Sequence, residues 1–200
     1  MISAMVLAAG RSRRMGVQKL LLPYRGQPLI AHVVDELLGS PVDHVIVVIG
    51  KGGRPIVETL ADRPVRTVTN TNPDGEMLHS VRCGLSAVPD EADAAMVVLG
   101  DQPGLTSDIV ARLVRSFQAT PRGIVVPTHE GRRGHPLLFT MRYRREILTS
   151  HEGRGLRGLL ETHPHDVHEL EFATVGVLED IDRPQDYARA IGRVSNQRNP

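Results

Sequence analysis

The stretch Ala8-Ala9-Gly10-Arg11-Ser12-Arg13-Arg14-Met15-Gly16-Val17-Gln18-Lys19 follows an apolar run over residues 2–7 that is typical of a buried strand. Glycine lets a backbone approach an anion closely, and successive N–H groups in such a loop form an anion-binding concavity. Arginine and lysine side chains then neutralise negative charge. A strand that opens into residues 10–19, the basic loop, therefore predicts a polyphosphate-binding site. The plainer alternative is a basic surface loop after an edge strand.

The spacing of the basic loop differs from two common nucleotide-binding motifs. A Walker A loop reads G-x-x-x-x-G-K-[ST], whereas Gly10 and Gly16 are one residue too far apart and Lys19 does not directly follow Gly16. The dinucleotide fingerprint G-x-G-x-x-G is also absent from this loop. We therefore expect the chain to bind a nucleoside triphosphate through a third kind of loop.

Bulk composition restricts the classes of partner. The 200 residues suit a single domain, which we place at residues 1–194, with a frayed tail at residues 195–200. A formal net charge of +1, 3% aromatic residues and no tryptophan argue against nucleic-acid binding. No apolar run is long enough to span a bilayer, so no membrane partner is expected. The single cysteine, Cys83, excludes an internal disulfide and suits a cytoplasmic setting.

Apolar and amphipathic segments alternate along the chain. Buried strands are predicted over residues 2–7, 44–49, 65–68, 94–99 and 123–126. The helices between them are predicted over residues 28–38, 55–60, 76–87 and 106–117. Further on we expect a hairpin or lid over 128–135, strands over 136–140, 167–171 and 174–178, and helices over 143–148, 155–162 and 184–191. This alternation predicts a Rossmann-like, three-layer α/β/α fold with a mostly parallel central sheet.

Three polar loops, at residues 10–19, 70–76 and 100–105, leave the carboxyl ends of predicted strands and should meet on one rim of the sheet. Asp101 stands in the last of these loops. A carboxylate there can hold Mg²⁺, which takes one or two carboxylates and completes its coordination with phosphate oxygens and water. The alternative is an aspartate that only forms a turn, because a Pro-Gly pair follows at 103–104.

A second carboxylate is available near the end of the chain. Asp180 and Asp182 flank Ile181, and in an extended chain they would share one side. The alternative for Asp182 is capping of the final helix, since it precedes Arg-Pro. The spacing leaves open which of the two aspartates binds metal.

Four motifs in this order carry a family resemblance over nearly the whole chain: Leu7–Gly16 with Lys19-Leu20-Leu21, Gly100-Asp101-Gln102-Pro103, Arg133-Gly134-His135-Pro136 and Asp180-Ile181-Asp182-Arg183-Pro184. With them the chain resembles the MobA-like nucleotidyltransferases, and within that family the molybdenum cofactor cytidylyltransferase branch. The Ala8-Ala9 pair and the Gly-His-Pro element favour this branch. The guanylyltransferase branch more often has Gly-Gly at the start of the loop.

The resemblance implies a role for each matched residue. Those implied to be catalytic are Lys19, Asp101 and Arg14. Those implied to bind the nucleotide are Ala8, Ala9, Gly10, Arg11, Arg14, Lys19, Ser80 and Asp101. The implied Mg²⁺ ligands are Asp101 and Asp182, and the implied acceptor-binding residues are His135 and Arg133. Glu76 is a departure, because the family usually has glycine before Met77, and its charge would lie near the expected base pocket.

The implied activity is Mg²⁺-dependent transfer of CMP from CTP to a phosphorylated pterin, molybdopterin, with release of pyrophosphate. The acceptor's phosphate oxygen would attack the α-phosphorus, and such transfers depend mainly on positioning and charge stabilisation. Alternatives of the same fold are a guanylyltransferase and a sugar-phosphate nucleotidyltransferase. A different class is a non-catalytic nucleotide- or cofactor-binding chaperone for a molybdoenzyme. A molybdoenzyme is also an expected client of the enzyme.

Overall fold

The computed structural model describes residues 1–12, 14–72 and 76–196, so Arg13, residues 73–75 and the tail residues 197–200 lie outside the described residues. The strands are β1 (Ile2–Ala8), β2 (Pro23–Tyr24), β3 (Gln27–Pro28), β4 (His44–Ile49), β5 (Arg66–Thr69), β6 (Ala94–Leu99), β7 (Ile124–His129), β8 (Arg132–Arg133), β9 (Leu137–Thr140) and β10 (Val167–Glu171). The α-helices are α1 (Leu29–Leu38), α2 (Arg54–Thr59), α3 (Met77–Leu85), α4 (Ser107–Ala119), α5 (Arg144–Thr149), α6 (Leu156–Thr162) and α7 (Pro184–Asn196). The last of these helices includes the first two residues of the predicted tail.

The central sheet has the strand order β5-β4-β1-β6-β9-β7-β10. Strand β1 pairs in parallel with β4 and β6. Strand β9 is antiparallel to both β6 and β7, and the short β8 forms an antiparallel hairpin with β7. The hairpin agrees with the prediction for residues 128–135. Strand β5 pairs in parallel with β4. The carboxyl ends of the four parallel strands β1, β4, β5 and β6 therefore lie on one rim of the sheet.

Helices cover both faces of the sheet. The core on one face includes Val34 of α1 and Leu113 of α4, and the core on the other includes Val81 of α3. Neighbouring residues of β1 enter opposite cores: Val6 packs in the first and Met5 in the second, both fully buried. These layers confirm the three-layer α/β/α fold. Within the described residues, no helix combines the length and apolarity needed to cross a bilayer.

The predicted strand over residues 174–178 is wrong, because Val175–Val177 forms a single 3₁₀ turn. The main-chain N–H of Gly176 donates to the Thr174 hydroxyl at 3.1 Å and caps this turn, which the bond from the N–H of Leu178 to the carbonyl oxygen of Val175 closes at 2.8 Å. A Cβ atom at Gly176 would lie only 2.9 Å from the carbonyl oxygen of Gly104. The β-branched valines predicted a strand, but this close backbone packing against the loop after β6 decides the conformation.

His32 is a buried titratable side chain in the core. His32 of α1 is 5% exposed, and its ring lies 4.9 Å from the ring of Tyr24. Burial lowers the pKa of His32, and the nearby Glu36 carboxylate offsets part of that effect. The unfolded chain, with an ordinary histidine pKa near about 6.5, then binds the proton first. We therefore expect the melting temperature to fall as pH decreases from 7 to 5.

Thermal denaturation of the His32→Phe variant over the same pH range isolates this contribution. Phenylalanine can keep the tilted ring contact with Tyr24 but removes the titrating group. The variant should lose less stability than the wild type between pH 7 and 5. Parallel curves for the two proteins would contradict a role for His32.

Candidate active site

The loops that follow β1, β5 and β6 line one cavity of about 680 Å³. This volume lies in the range of small-molecule sites. Its walls are Leu7, Ala9, Gly10, Arg11, Ser12, Arg14, Lys19, Leu20, Asn70, Asn72, Met77, Ser80, Leu99, Asp101, Asp180 and Asp182. The main cavity therefore brings together the basic loop and both groups of candidate acidic residues.

Hydrogen bonds fold the basic loop back on Ser12. The carbonyl oxygen of Ser12 accepts from the main-chain N–H groups of Met15 and Gly16 at 2.9 and 3.2 Å. Its hydroxyl donates to Gln18 at 3.1 Å and accepts from the N–H of Lys19 at 3.3 Å. Gly16 has a φ of +70°, a conformation that glycine adopts without steric cost. These contacts close the loop and set the direction in which Lys19 leaves it.

The ammonium group of Lys19 joins the two acidic segments. It contacts the Asp101 carboxylate and lies 3.1 Å from Oδ1 of Asp182. Arg14 donates to Oδ2 of Asp182 at 2.8 Å. Burial by itself lowers the pKa of Lys19, but the charge of Asp101 and the hydrogen bonds to Asp101 and Asp182 outweigh it, so this pKa is raised. Lys19 is thus a permanent cation held between two carboxylates.

The backbone holds the acidic residues in place. The main-chain N–H of Ile181 donates to the carbonyl oxygen of Asp101 at 3.0 Å. Asp186, in the first turn of α7, accepts from the main-chain N–H groups of Asp182 and Arg183 at 3.1 and 2.7 Å, which holds the segment that leads into the helix. Among the described residues, the carboxylate of Asp182 bonds to Arg14 and Lys19; the structure shows no capping bond from it to α7. The Asp182 carboxylate faces the basic loop instead.

The donor set suits a hard divalent cation. Asp101 and Asp182 reach the same ammonium group, so a cation between them could contact both carboxylates. Asp180 lines the same cavity, and desolvation together with the charges of Asp101 and Asp182 raises its pKa. In the described part of the chain, no cluster of three His, Cys, Asp or Glu residues has metal-binding geometry. Two carboxylates supplemented by phosphate oxygens remain a sufficient set for Mg²⁺.

A second cavity of about 370 Å³ adjoins the first and shares Ala9, Gly10, Arg11, Asn70 and Asn72 with it. Its other walls are Ala8, Gln18 and residues 50–53. The sequence motifs included Ala8, Ala9 and Gly10 but missed Asn70 and Asn72. The 70–76 loop was predicted to reach this rim, yet no local pattern indicated which of its side chains face inward.

Glu76 does not line either cavity. It is exposed, and its carboxylate accepts from the main-chain N–H of Gly153 at 3.1 Å. The residue that follows it, Met77, does line the main cavity and is 54% exposed. The negative charge that was expected near the base is therefore bonded to the turn before α6.

The predicted acceptor residues lie outside the walls of both cavities. Arg133 is in β8 and pairs with Glu169 of β10 at 2.7 Å. Burial lowers the pKa of His135, and the charge of Asp101 partly opposes this, so His135 is within electrostatic reach of the acidic centre. Buried Gln102 holds this segment, because its amide nitrogen donates to the carbonyl oxygens of His135 and Gly176, both at 2.9 Å.

A substitution at Gly10 is expected to affect nucleotide binding and to leave the stability of the fold nearly unchanged. A Cβ atom at Gly10 would meet no atom within 4 Å, yet the residue borders both cavities. We expect Gly10→Val to change the free energy of unfolding by no more than about 0.5 kcal/mol. Its affinity for a nucleoside triphosphate should fall about tenfold or more, measured by calorimetric titration, because the added methyl groups occupy the space of the ligand.

Gly104→Ala provides the contrast to Gly10→Val, because Gly104 is a glycine whose Cβ position is occupied by neighbouring backbone. A Cβ atom at Gly104 would lie 2.5 Å from Cα of Gly176, so this variant should lower the melting temperature. Unchanged nucleotide affinity in a folded Gly10→Val variant would rule out close approach of the ligand to the basic loop.

Comparison with known proteins identifies the family. A model described as the MobA-like NTP transferase domain matches residues 4–167. The chain belongs to the MobA-like NTP transferase family. Rv0371c from Mycobacterium tuberculosis H37Rv shares this fold, with a TM-score of 0.85 and 29% identity over 96% of this chain and 98% of that chain. The same mycobacterial protein has also been solved as a complex with manganese, and nucleotidyltransferases of this kind use divalent metals.

Two curated relatives of this chain carry names of different enzyme classes. The molybdenum cofactor cytidylyltransferase of Escherichia coli K12 is 27% identical over 194 residues, covering 96% of each protein. The nicotine blue oxidoreductase of Paenarthrobacter nicotinovorans is 28% identical over 199 residues, covering 95% of this chain and 96% of that protein. Family membership therefore assigns a nucleotidyltransferase domain but does not assign its substrate.

Proposed function

We propose that this protein is a Mg²⁺-dependent cytidylyltransferase that transfers CMP from CTP to a phosphorylated small molecule of the molybdopterin type and releases pyrophosphate. The observation that carries the proposal is the contact of Lys19 with both Asp101 and Asp182 at the wall of the main cavity. One cationic loop and two acidic segments from distant parts of the chain meet there. A magnesium–nucleotide complex has the charges to occupy this centre.

The residues of the site have separate parts in the reaction. The acceptor's phosphate oxygen forms a bond to the α-phosphorus of CTP, while the bond from that phosphorus to the bridging oxygen of pyrophosphate breaks. Lys19 and Arg14 would neutralise the charge that grows on the leaving pyrophosphate. Asp101 and Asp182 would hold the divalent cation, which supplies Lewis acidity and orients the phosphates. No side-chain nucleophile is required.

The acceptor side of the proposal rests on His135 and on the relative in Escherichia coli. The charge of Asp101 acts on His135, where it partly offsets the lowering of the His135 pKa by burial. Arg133 is paired with Glu169 and would have to change partner to bind a phosphate. A molybdoenzyme would be the client that receives the product. We place this activity in the cytoplasm, where nucleoside triphosphates are available.

The test is pyrophosphate release from a panel of the four nucleoside triphosphates, each combined with molybdopterin or a sugar 1-phosphate. Pyrophosphate should form with CTP, molybdopterin and Mg²⁺, and chelation of the metal should abolish it. Release with GTP, or with the sugar phosphate instead of the pterin, would favour the other transferases of this fold. Nucleotide binding without pyrophosphate from any acceptor would favour a cofactor-binding chaperone.

The relative that acts as an oxidoreductase supplies one more arm of the panel. The loop after β1 lacks the G-x-G-x-x-G fingerprint of dinucleotide binding and carries charges that suit a triphosphate. Residues 153–158 do read Gly-Arg-Gly-Leu-Arg-Gly, but they follow helix α5 rather than a strand, so they lack the strand–loop–helix context of that motif. Oxidation of NADH or NADPH, followed by absorbance, should therefore remain at background. Turnover of a nicotinamide cofactor without any pyrophosphate release would overturn the transferase proposal.

A further inference from the structure

The ammonium group of Lys19 lies at the point where a divalent cation would contact both acidic segments. It contacts the Asp101 carboxylate and lies 3.1 Å from Oδ1 of Asp182, so both carboxylates face one nitrogen atom. The side chains of Lys19 and Asp101 are only 11% and 16% exposed, so little water can replace either partner. A divalent cation that binds both carboxylates therefore has to displace this ammonium group.

Displacement by a metal ion alone is unfavourable. Removing one partner of a buried ion pair leaves the other charge uncompensated, which costs more than the pair contributes. A metal ion that took both carboxylates would leave the buried ammonium group of Lys19 next to a divalent cation. We therefore expect the metal ion by itself to bind weakly at Asp101 and Asp182.

A triphosphate by itself meets the opposite difficulty. Its phosphate oxygens would attract Lys19, but Asp101 and Asp182 would then lose the cation that separates them and would face the incoming negative charge. Arg14 is less constrained, because its side chain is 65% exposed while it bonds to Asp182 at 2.8 Å. Such an exposed ion pair is exchanged at little cost. Lys19, rather than Arg14, therefore links the binding of the two ligands.

We propose that Lys19 takes the place of the divalent cation and leaves Asp101 and Asp182 only when a triphosphate offers its ammonium group new oxygen partners; this role rests on the proposed nucleotidyltransferase function. The divalent cation then replaces the ammonium group, and each carboxylate keeps a positive partner throughout. Metal and triphosphate therefore bind with positive coupling, in which each raises the affinity for the other by the same factor. A second consequence is that loss of Lys19 strengthens binding of the metal ion alone.

The first experiment measures the affinity of the protein for Mn²⁺ without any nucleotide, by electron paramagnetic resonance of the unbound ion. The wild type should bind Mn²⁺ weakly. Lys19→Met removes the competing charge and leaves two carboxylates that repel each other, so its affinity for Mn²⁺ should rise about tenfold or more. Lys51→Met is the matched control, because Lys51 lies in the wall of the second cavity. Its affinity for Mn²⁺ should equal that of the wild type.

The second experiment measures the coupling by calorimetric titration with α,β-methylene CTP. Saturating Mn²⁺ should tighten binding of this analogue to the wild type by about tenfold or more, a factor typical of coupled sites. The factor should be smaller in Lys19→Met, because the metal ion no longer depends on the triphosphate to remove the ammonium group. Direct contact between the metal ion and the phosphates accounts for the coupling that remains.

Asp182→Asn tests the exchange from the opposite side and does not require Lys19→Met to fold. It removes the carboxylate that Lys19 and Arg14 both contact, so both cations become available to phosphate. With the metal chelated, its affinity for α,β-methylene CTP should rise about threefold or more, whereas its affinity for Mn²⁺ should fall. Asp90→Asn, at an exposed ion pair away from both cavities, should change neither affinity.

The outcomes distinguish the role of Lys19 from the proposed function. Equal affinity of the wild type and Lys19→Met for Mn²⁺ would refute this role, and so would equal gains in Lys19→Met and Lys51→Met. A wild type that releases pyrophosphate but binds Mn²⁺ as tightly without the analogue as with it refutes the role of Lys19 alone. If no triphosphate binds in any combination and no acceptor yields pyrophosphate, the proposed function itself fails. Thermal denaturation of each variant establishes that the comparisons are made on folded protein.

Discussion

Asp101→Asn is expected to lower kcat by about a hundredfold or more, the size of loss seen when a central charge-stabilising group is removed. The Asp101 carboxylate contacts Lys19, and the Asp101 carbonyl oxygen accepts from the main-chain N–H of Ile181. Asp101 therefore stands at the centre of the charged cluster. Asparagine has the same shape but lacks the charge that would hold a divalent cation. The measurement is the rate of pyrophosphate release at saturating nucleotide over a range of Mg²⁺ concentrations.

Asp90→Asn is the matched control for Asp101→Asn. The Asp90 side chain is 95% exposed and pairs with Arg144 at 2.8 Å, away from both cavities. This variant should retain wild-type turnover, because exposed ion pairs contribute little. Near-normal turnover of Asp101→Asn at every Mg²⁺ concentration would remove Asp101 from the proposed metal site.

Lys19→Met is expected to weaken triphosphate binding by about tenfold to a hundredfold, the range for loss of a hydrogen bond between charged groups. Methionine retains much of the side-chain volume but cannot neutralise a phosphate. Because Lys19 also separates Asp101 from Asp182, its loss brings those carboxylates into direct repulsion as well. Calorimetric titration with a non-hydrolysable triphosphate and Mg²⁺ measures the change in affinity.

Lys51→Met provides the comparison for Lys19→Met. Lys51 is an exposed lysine in the wall of the second cavity, beyond the residues that the two cavities share. It should have the smaller effect if the triphosphate lies along the basic loop. Equal losses in the two variants would place the phosphates between the cavities, and unchanged affinity in Lys19→Met would contradict its assignment to the triphosphate.

Much of the fold could be predicted from local patterns. The bounds predicted for β4, β6 and β10 agree with the structure at both ends. Their side chains are continuously apolar or alternate between apolar and polar, and such patterns indicate buried or half-buried strands. The hairpin of β2 and β3 was missed, because two-residue strands have too little periodicity to be recognised.

The composition of the candidate site could be predicted, but its contacts could not. The basic loop, Asp101 and Asp182 were selected as residue types, and the structure places all three at one cavity. The bonds that orient them join residues as far apart as 168 positions in the chain. Asn70 illustrates the difference, since nothing in its local sequence indicates that its amide will meet Ser80 inside the folded molecule.

The amino-acid sequence by itself determined the order of strands and helices, the strand ends at which polar loops emerge, and the charges that those loops carry. These properties depend on backbone propensity and on burial of nearby side chains. Only the tertiary structure decided that Asp186 accepts from the N–H of Arg183 while Asp182 faces Lys19. It also decided that Glu76 accepts from the N–H of Gly153 and that Arg133 pairs with Glu169. Such choices follow from which distant groups folding brings within hydrogen-bonding distance, because each charged or polar side chain adopts the partner that best replaces its contact with water.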